Sequence, residues 1–364
     1  MAKIVYGVSG EGSGHSSRAR EIITHLQASG HTAKIVSYGR GYSNLQADFD
    51  VFETEGLHIQ SVENKVSVVK TFVDNISRLS DGVKKLRELR HVAFKNFQPD
   101  AVVTDFEPMT AYLANHYDLP LITIDNQHRM RYMRYSCPRK LRKDATVTET
   151  VIRAMVPRPD VSLVTTFYFG ELKNERTFLF PPILRRRLFD LSPSDGEHIL
   201  VYVTQACKTL LSTFSAFPRE RFFVYGYDRD EEKDNLVYKS FSADGFLHDL
   251  AGAKAVIATA GFTLMTEALY FRKPILAFPM QGQFEQEFNA LLLADLGYGK
   301  NGRRKSRETI GDFLYRVPDY REQLARYRTA DNHAIFAELD ELLARDCDRA
   351  KAFHRERKAS FSAN

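Results

Sequence analysis

Residues 255–290, AVIATAGFTLMTEALYFRKPILAFPMQGQFEQEFNA, restrict the possible folds more than any other stretch. Ala255–Ala258 is an apolar run of strand length, closed by the small residues Thr259, Ala260 and Gly261. From Phe262 to Phe271 the spacing of Leu264, Ala268 and Phe271 predicts a helix. Lys273-Pro274 ends it, because proline disfavours helix in the residue before it, and Pro274–Pro279 reads as a second buried strand. Strand, small-residue turn, helix and strand make a parallel-sheet unit. The loop that opens the helix suits a phosphate. Ala260 and Gly261 allow close approach, and the N–H groups of Gly261, Phe262 and Thr263 lie at the positive end of the helix dipole. Glu267, about one and a half turns on, is placed to accept hydrogen bonds from a ribose diol. Gln283, Glu285, Gln286 and Asn289 follow the next strand as polar groups able to fix a sugar.

This string resembles the donor half of GT-B nucleotide-sugar glycosyltransferases, above all the branch containing the N-acetylglucosaminyl transferase of peptidoglycan lipid synthesis. That branch carries small-Gly-x-Thr, a Glu four residues beyond the Thr, Pro-x-x-x-x-Pro, then Glu/Asp-Gln-x-x-Asn-Ala. Here the pattern reads Gly261-Phe262-Thr263, Glu267, Pro274 to Pro279, and Glu285-Gln286-Glu287-Phe288-Asn289-Ala290. A bare strand-turn-helix would be consistent with any βαβ unit; the ordered, correctly spaced set is what carries the resemblance.

The chain begins with a strand, Lys3–Ser9, a turn Gly10-Glu11-Gly12-Ser13-Gly14, and a helix over Ser16–Ser29 with Ala19, Ile22, Ile23 and Leu26 inward. The turn misses a dinucleotide fingerprint, since His15 stands where the third glycine is needed. In the GT-B relatives a histidine at this helix start serves as the catalytic base, and the resemblance gives that role to His15, with a capping imidazole as the plain competitor. The small Gly14 lets substrate lie against the backbone. Glu11 departs from the more glycine-rich family loops. Pro99–Asp105 is a further strand, with Asp105 and Glu107 at its carboxyl end. Relatives orient the histidine with an aspartate at a comparable place. Asp105 takes that role here, with Glu107 as the alternative.

Several stretches leave their reading open. Residues 66–89 have helical spacing. Arg129–Lys143 holds seven Arg or Lys and no acid, interleaved with Met130, Tyr132, Met133 and Tyr135. It reads as a solvated loop, as a peripheral segment drawn to anionic lipid with its apolar residues inserted, or, least, as a nucleic-acid contact. FLFPPI, residues 178–183, reads as an exit into a hinge, and Arg185 beside it as a phosphate contact or a surface charge. By resemblance, Thr204 lies in a hydroxyl-rich loop beneath the donor phosphate and Phe241 holds the nucleotide base. The last helix is expected to return to the first domain, frayed from about Ala350.

With 364 residues, 43% of them hydrophobic, and a net charge of +5, the chain has length for two domains and no membrane-spanning run. Its start reads as a strand and not a secretory signal, and Cys137, Cys207 and Cys347 form no metal or redox motif. The expected location is cytoplasmic. The fold class expected is α/β, two Rossmann-like domains with parallel sheets facing across a cleft (GT-B): 1–185 for the acceptor, 196–330 for the nucleotide sugar, and 331–364 as returning helix and polar tail. The resemblance implies an inverting, metal-independent transferase moving a sugar from a UDP-sugar to an unidentified acceptor hydroxyl. It needs no cofactor beyond that co-substrate, and no Asp-x-Asp of the metal-holding type is identified. A UDP-N-acetylglucosamine 2-epimerase-like enzyme and a non-catalytic nucleotide-sugar binder are the alternatives.

Overall fold

Near-continuous apolar runs, buried on both faces, are what parallel strands are made of. This chain supplies them as β1 (Lys3–Val8), β2 (Thr32–Ser37), β3 (Val51–Glu53), the small antiparallel pair β4 (Ser61–Val62) and β5 (Lys65–Val66), β6 (Ala101–Asp105), β7 (Leu121–Asp125), β8 (Val161–Thr165) and β9 (Thr177–Phe180). Every residue of β6, β7 and β8 is buried. The computed structural model describes residues 1–56, 61–62, 65–66, 79–203 and 208–362. The chain divides into two units: Met1–Gln60, Ser67–Arg185 and Asp331–Asn364 make the first, and Ser61–Val66 with Arg186–Ala330 the second.

In the first unit seven strands run in the order β3-β2-β1-β6-β7-β8-β9, all parallel. The order reverses between β1 and β6, so the carboxyl ends of those two strands flank the point where open sheets bind ligands. Helices Gly14–Ala28 and Pro108–His116 begin just beyond those ends. The core gathers Ile4, Tyr6 and Val8 of β1 with Ile22, Ile23 and Leu26 of the first helix. Stretch 178–183 is not simply a hinge exit: Thr177–Phe180 pairs with β8 as the edge strand, and Phe178 and Phe180 pack on the core.

The second unit repeats the plan with β10 (His198–Tyr202), β11 (Arg221–Tyr225), β12 (Glu231–Lys233), β13 (Leu236–Tyr238), β14 (Ala255–Ala258), β15 (Ile275–Ala277) and β16 (Gly299–Asn301). Its order is β12-β13-β11-β10-β14-β15-β16, with only β12 antiparallel. The reversal here falls between β10 and β14. The helix Phe262–Tyr270 opens at the end of β14, and Phe284–Asp295 follows β15.

The closing stretch His333–Ser362 belongs to the first unit and supplies Ile335, Leu339, Leu342 and Leu343 to its core. Helical geometry breaks at Ala344, and Arg345, Asp346 and Cys347 all adopt positive φ (48°, 56° and 63°). Beyond the break the chain is not frayed. His354 Nδ1 lies 3.0 Å from Asp160 Oδ2, Arg357 Nε also bonds that carboxylate, and helix continues to Ser362. Of the helical pattern expected over 66–89, only Leu79–Leu89 lies among described helical residues.

The basic run departs from the insertion reading. Met130, Met133 and Arg129 are buried, whereas Arg134, Arg139, Lys140, Arg142 and Lys143 are exposed. The two methionines are taken up by the protein's own core, while Tyr132 and Tyr135 are half-buried and most of the charges lie on the surface.

Candidate active site

The turn after β1 holds its shape through backbone contacts: Ser9 N–H donates to Asp105 O at 3.0 Å, and Gly12 takes a φ of 77°. The helix that follows therefore starts directly over the end of β6. His15, in its first turn, places Nδ1 2.7 Å from Asp105 Oδ1. Arg18, three residues on and so on the same face, sets Nε 2.9 Å from Oδ2 and Nη2 2.6 Å from Oδ1. Arg18 Nη1 reaches Asn126 Oδ1 at the end of β7, 3.2 Å away. Asp105 is fully buried, and His15 keeps 11% of its side chain exposed. Burial pushes the Asp105 carboxyl up, but Arg18 and then His15 outweigh it, and the group is held below the ordinary carboxylate range. An ionised carboxylate only accepts, so Nδ1–H donates to it, and in the neutral ring the lone pair then falls on Nε2.

Glu107 is not the partner of His15. Its carboxylate caps the helix Pro108–His116, accepting from Met109 N–H (2.8 Å), Thr110 N–H (2.7 Å) and the Thr110 hydroxyl (2.6 Å). Burial raises its pKa, against the pull of those bonds. Between the two acids Phe106 adopts φ 59°, a left-handed turn that sends Asp105 and Glu107 to different tasks. Gly14 opens the helix, half-buried, beside His15.

In the second unit Gly261 is the N-cap of Phe262–Tyr270 and offers no side chain; a Cβ there would meet nothing within 4 Å. Thr263 is half-buried at the helix mouth, while Ala260 and Phe262 are buried. Asn289 is fully buried, and its Nδ2 donates to Ala260 O at 2.8 Å, so it braces the loop from below instead of facing outward. Gln286 is tied in similarly, with Oε1 accepting from Met280 N–H (3.0 Å) and Nε2 donating to Gln283 Oε1 (2.7 Å). Glu285 and Gln283 remain half-exposed. Glu267 is only 2% exposed. Phe241 is 55% exposed, its ring tilted against Phe246 at 5.7 Å. Arg185 is half-buried at the end of the first unit's continuous stretch. Thr204 lies outside the described residues.

Literal Asp-x-Asp triplets do occur, at Asp48/Asp50, Asp228/Asp230 and Asp346/Asp348. Asp48 and Asp50 are engaged by Arg20 and Lys34, and Asp230 accepts from Ser240 N–H. No group of three His, Cys, Asp or Glu among the described residues is arranged to hold a metal. Sequence reasoning passed over Arg18 and Asn126. The available signal was spacing: Arg18 falls three residues after His15 and four before the inward Ile22.

The glycosyl transferase family 1 description matches residues 2–318. An uncharacterized glycosyltransferase of Methanosarcina mazei is 26% identical over 334 residues, covering 82% of this chain and 85% of its own. Among solved structures, the calicheamicin glycosyltransferase CalG4 aligns with TM-score 0.68 at 17% identity, over 95% of this chain and 99% of that one. Arabidopsis thaliana UGT89C1 complexed with UDP-L-rhamnose aligns at 0.65 and 17% identity, over 95% and 99%. The spinosyn rhamnosyltransferase SpnG complexed with thymidine diphosphate aligns at 0.63 and 13%, over 93% and 100%. Two parallel-sheet α/β units of this order are the GT-B fold. With the family match running through both, the chain belongs to glycosyl transferase family 1 and is a glycosyltransferase.

Proposed function

We propose that this enzyme transfers a sugar from a nucleoside-diphosphate sugar to an acceptor hydroxyl with inversion at the anomeric carbon, without a metal ion. The observation that carries the reading is the hydrogen bond from His15 to Asp105 at the switch point of the first sheet. In the step, Nε2 of His15 takes the proton from the acceptor hydroxyl as its oxygen bonds to the anomeric carbon. The bond from that carbon to the phosphate oxygen breaks on the opposite face, and the electron pair leaves with the diphosphate. N–H groups at Gly261–Thr263 receive the developing charge, a role helix mouths fill because their first donors lack intrahelical partners. Gln283 and Glu285, half-exposed, read the sugar; Phe241, exposed, reads the base; Arg185 is a further phosphate contact.

Uridine is the proposed base, since the donor-half pattern resembles that of the peptidoglycan N-acetylglucosaminyl branch; similar solved structures hold UDP-L-rhamnose and thymidine diphosphate. A lipid or cell-surface glycan precursor is the proposed acceptor class. Exposed Arg134, Arg139, Lys140, Arg142 and Lys143 suit an electrostatic contact with anionic membrane, and no helix among the described residues is long and apolar enough to cross one. Absence of binding to anionic vesicles at low salt removes that contact.

A thermal-shift panel of nucleotide sugars tests the whole reading, since a ligand of the native state raises the melting temperature. A UDP-sugar is expected to give the largest shift. His15→Ala is expected to lose about 10²–10⁴ in kcat with donor binding intact. Full activity in that variant, or turnover of donor without any acceptor, overturns it.

A further inference from the structure

Behind the pair His15 and Asp105 lies a third side chain. Arg18 grips both oxygens of Asp105, and one of them, Oδ1, is the atom that faces His15 Nδ1. The guanidinium is itself fixed by Asn126 Oδ1. Arg18, Asp105 and Asn126 are 5%, 0% and 3% exposed, so these bonds lie away from bulk solvent. Other titratable groups acting on Arg18 are Tyr6 of β1 and Asp125 of β7, of which neither makes a hydrogen bond to it.

Building on the reading of His15 as the base, we propose that Arg18 is a positioning residue that keeps Asp105 an acceptor-only carboxylate and thereby holds the imidazole proton on Nδ1, leaving Nε2 open to the acceptor. Arg18 Nη2 also lies 3.2 Å from Nδ1, but both are donors once Asp105 is ionised. The opposite tautomer would let Nδ1 accept from Arg18, yet it would bring two lone pairs together at the 2.7 Å separation of Nδ1 and Oδ1. The carboxylate therefore dictates the tautomer, and Arg18 is the larger of its two charge partners. Without Arg18, burial favours the neutral acid. A protonated Asp105 donates to Nδ1, the ring proton moves to Nε2, and the base is closed although every atom of the pair is still present.

The test is ¹⁵N NMR of the His15 ring in the full chain at neutral pH, assigned against His15→Ala, in wild type, Arg18→Gln and Arg18→Lys. Wild type is expected as the Nδ1–H tautomer and Arg18→Gln as Nε2–H, with kcat reduced about 10²-fold and donor KM within about twofold. Arg18→Lys, which keeps a charge but not the fork, is expected to restore the Nδ1–H form and part of the rate. An Nδ1–H tautomer in Arg18→Gln, or no restoration by lysine, overturns the proposal. Should Arg18→Gln fail to fold, the Asp105 carboxyl ¹³C titration in wild type decides: a transition within or above the ordinary carboxylate range overturns it. A chain that shows the tautomer switch but transfers no sugar refutes the proposed function alone.

Discussion

Asp105 and Glu107 have the same charge, sit two residues apart and are both buried, yet only one can serve the histidine. Their difference arises from Phe106, whose left-handed φ turns Glu107 into a helix cap. Asp105→Asn is expected to lower kcat by a factor similar to His15→Ala, while Glu107→Gln mainly lowers stability; parallel kinetics and melting curves separate the two. Sequence left this choice open because both acids lie at a strand end, and φ at an aromatic residue has no sequence signature. Arg18 was illegible for another reason, since arginines on helices are rarely buried unless paired. Glu267, expected from the sequence to meet a ribose, is only 2% exposed. Glu267→Gln, which keeps its shape, is expected to weaken UDP affinity without a large loss of stability, and calorimetry showing unchanged affinity removes the ribose contact. Lys273 is a different kind of residue. Burial first, against the attraction of Asp195, lowers its pKa to about 8, and its ammonium donates to Ser194 O at 2.6 Å. The unfolded chain holds that proton up to about 10.4, so stability is expected to rise with pH between about 8 and 10.4. Lys273→Met flattens that rise in denaturant midpoints measured across the window.

At the level of elements, the strands that sequence made plain are those buried on both faces, β1, β6 and β14, whose apolar runs admit little else. Among those it missed, Val51–Glu53 and Gly299–Asn301 have three residues each and no long apolar run; only pairing with a neighbour makes them strands. The basic run shows the opposite failure, because apolar periodicity marks burial without saying whether lipid or protein covers it. β1 also carries a constraint invisible as sequence. A Cβ on Gly7 would lie 2.0 Å from Thr110 Oγ1 and 2.9 Å from Glu107 Oε2, the groups that cap the next helix. Gly7→Ala is expected to cost about 1–3 kcal/mol, read as a lowered denaturant midpoint. Gly261, by contrast, has a negative φ and open space, so Gly261→Val is expected to leave stability unchanged and to weaken diphosphate binding. Equal affinity for UDP in that variant would show that the helix mouth is not where the phosphates rest.

At the scale of the molecule, each seven-stranded sheet reverses its order beside the first strand of its unit; β10 to β16 all lie in one stretch of chain after Arg186, whereas the first unit is assembled from Met1–Gln60, Ser67–Arg185 and Asp331–Asn364. Its last pieces are Ile335, Leu339, Leu342 and Leu343 in the core and the pair His354 and Arg357 on Asp160. That pair repeats the spacing of His15 and Arg18 on Asp105, but here both imidazole nitrogens have acid partners, Nε2 meeting Asp118 at 3.2 Å. The same constellation is thus a brace at one place and, on the proposed reading, an open base at the other. Arg357→Met is expected to cost about 3 kcal/mol, since it strips a buried carboxylate of a partner. There is a temporal side to this discontinuity. A ribosome delivers residues in order, so the second unit has all of its strands and helices before the first has received its closing helix. Chains stalled after Ala330 are expected to shield the second unit from protease while the first is still cut, and the first unit's core closes only when residues 331–364 emerge.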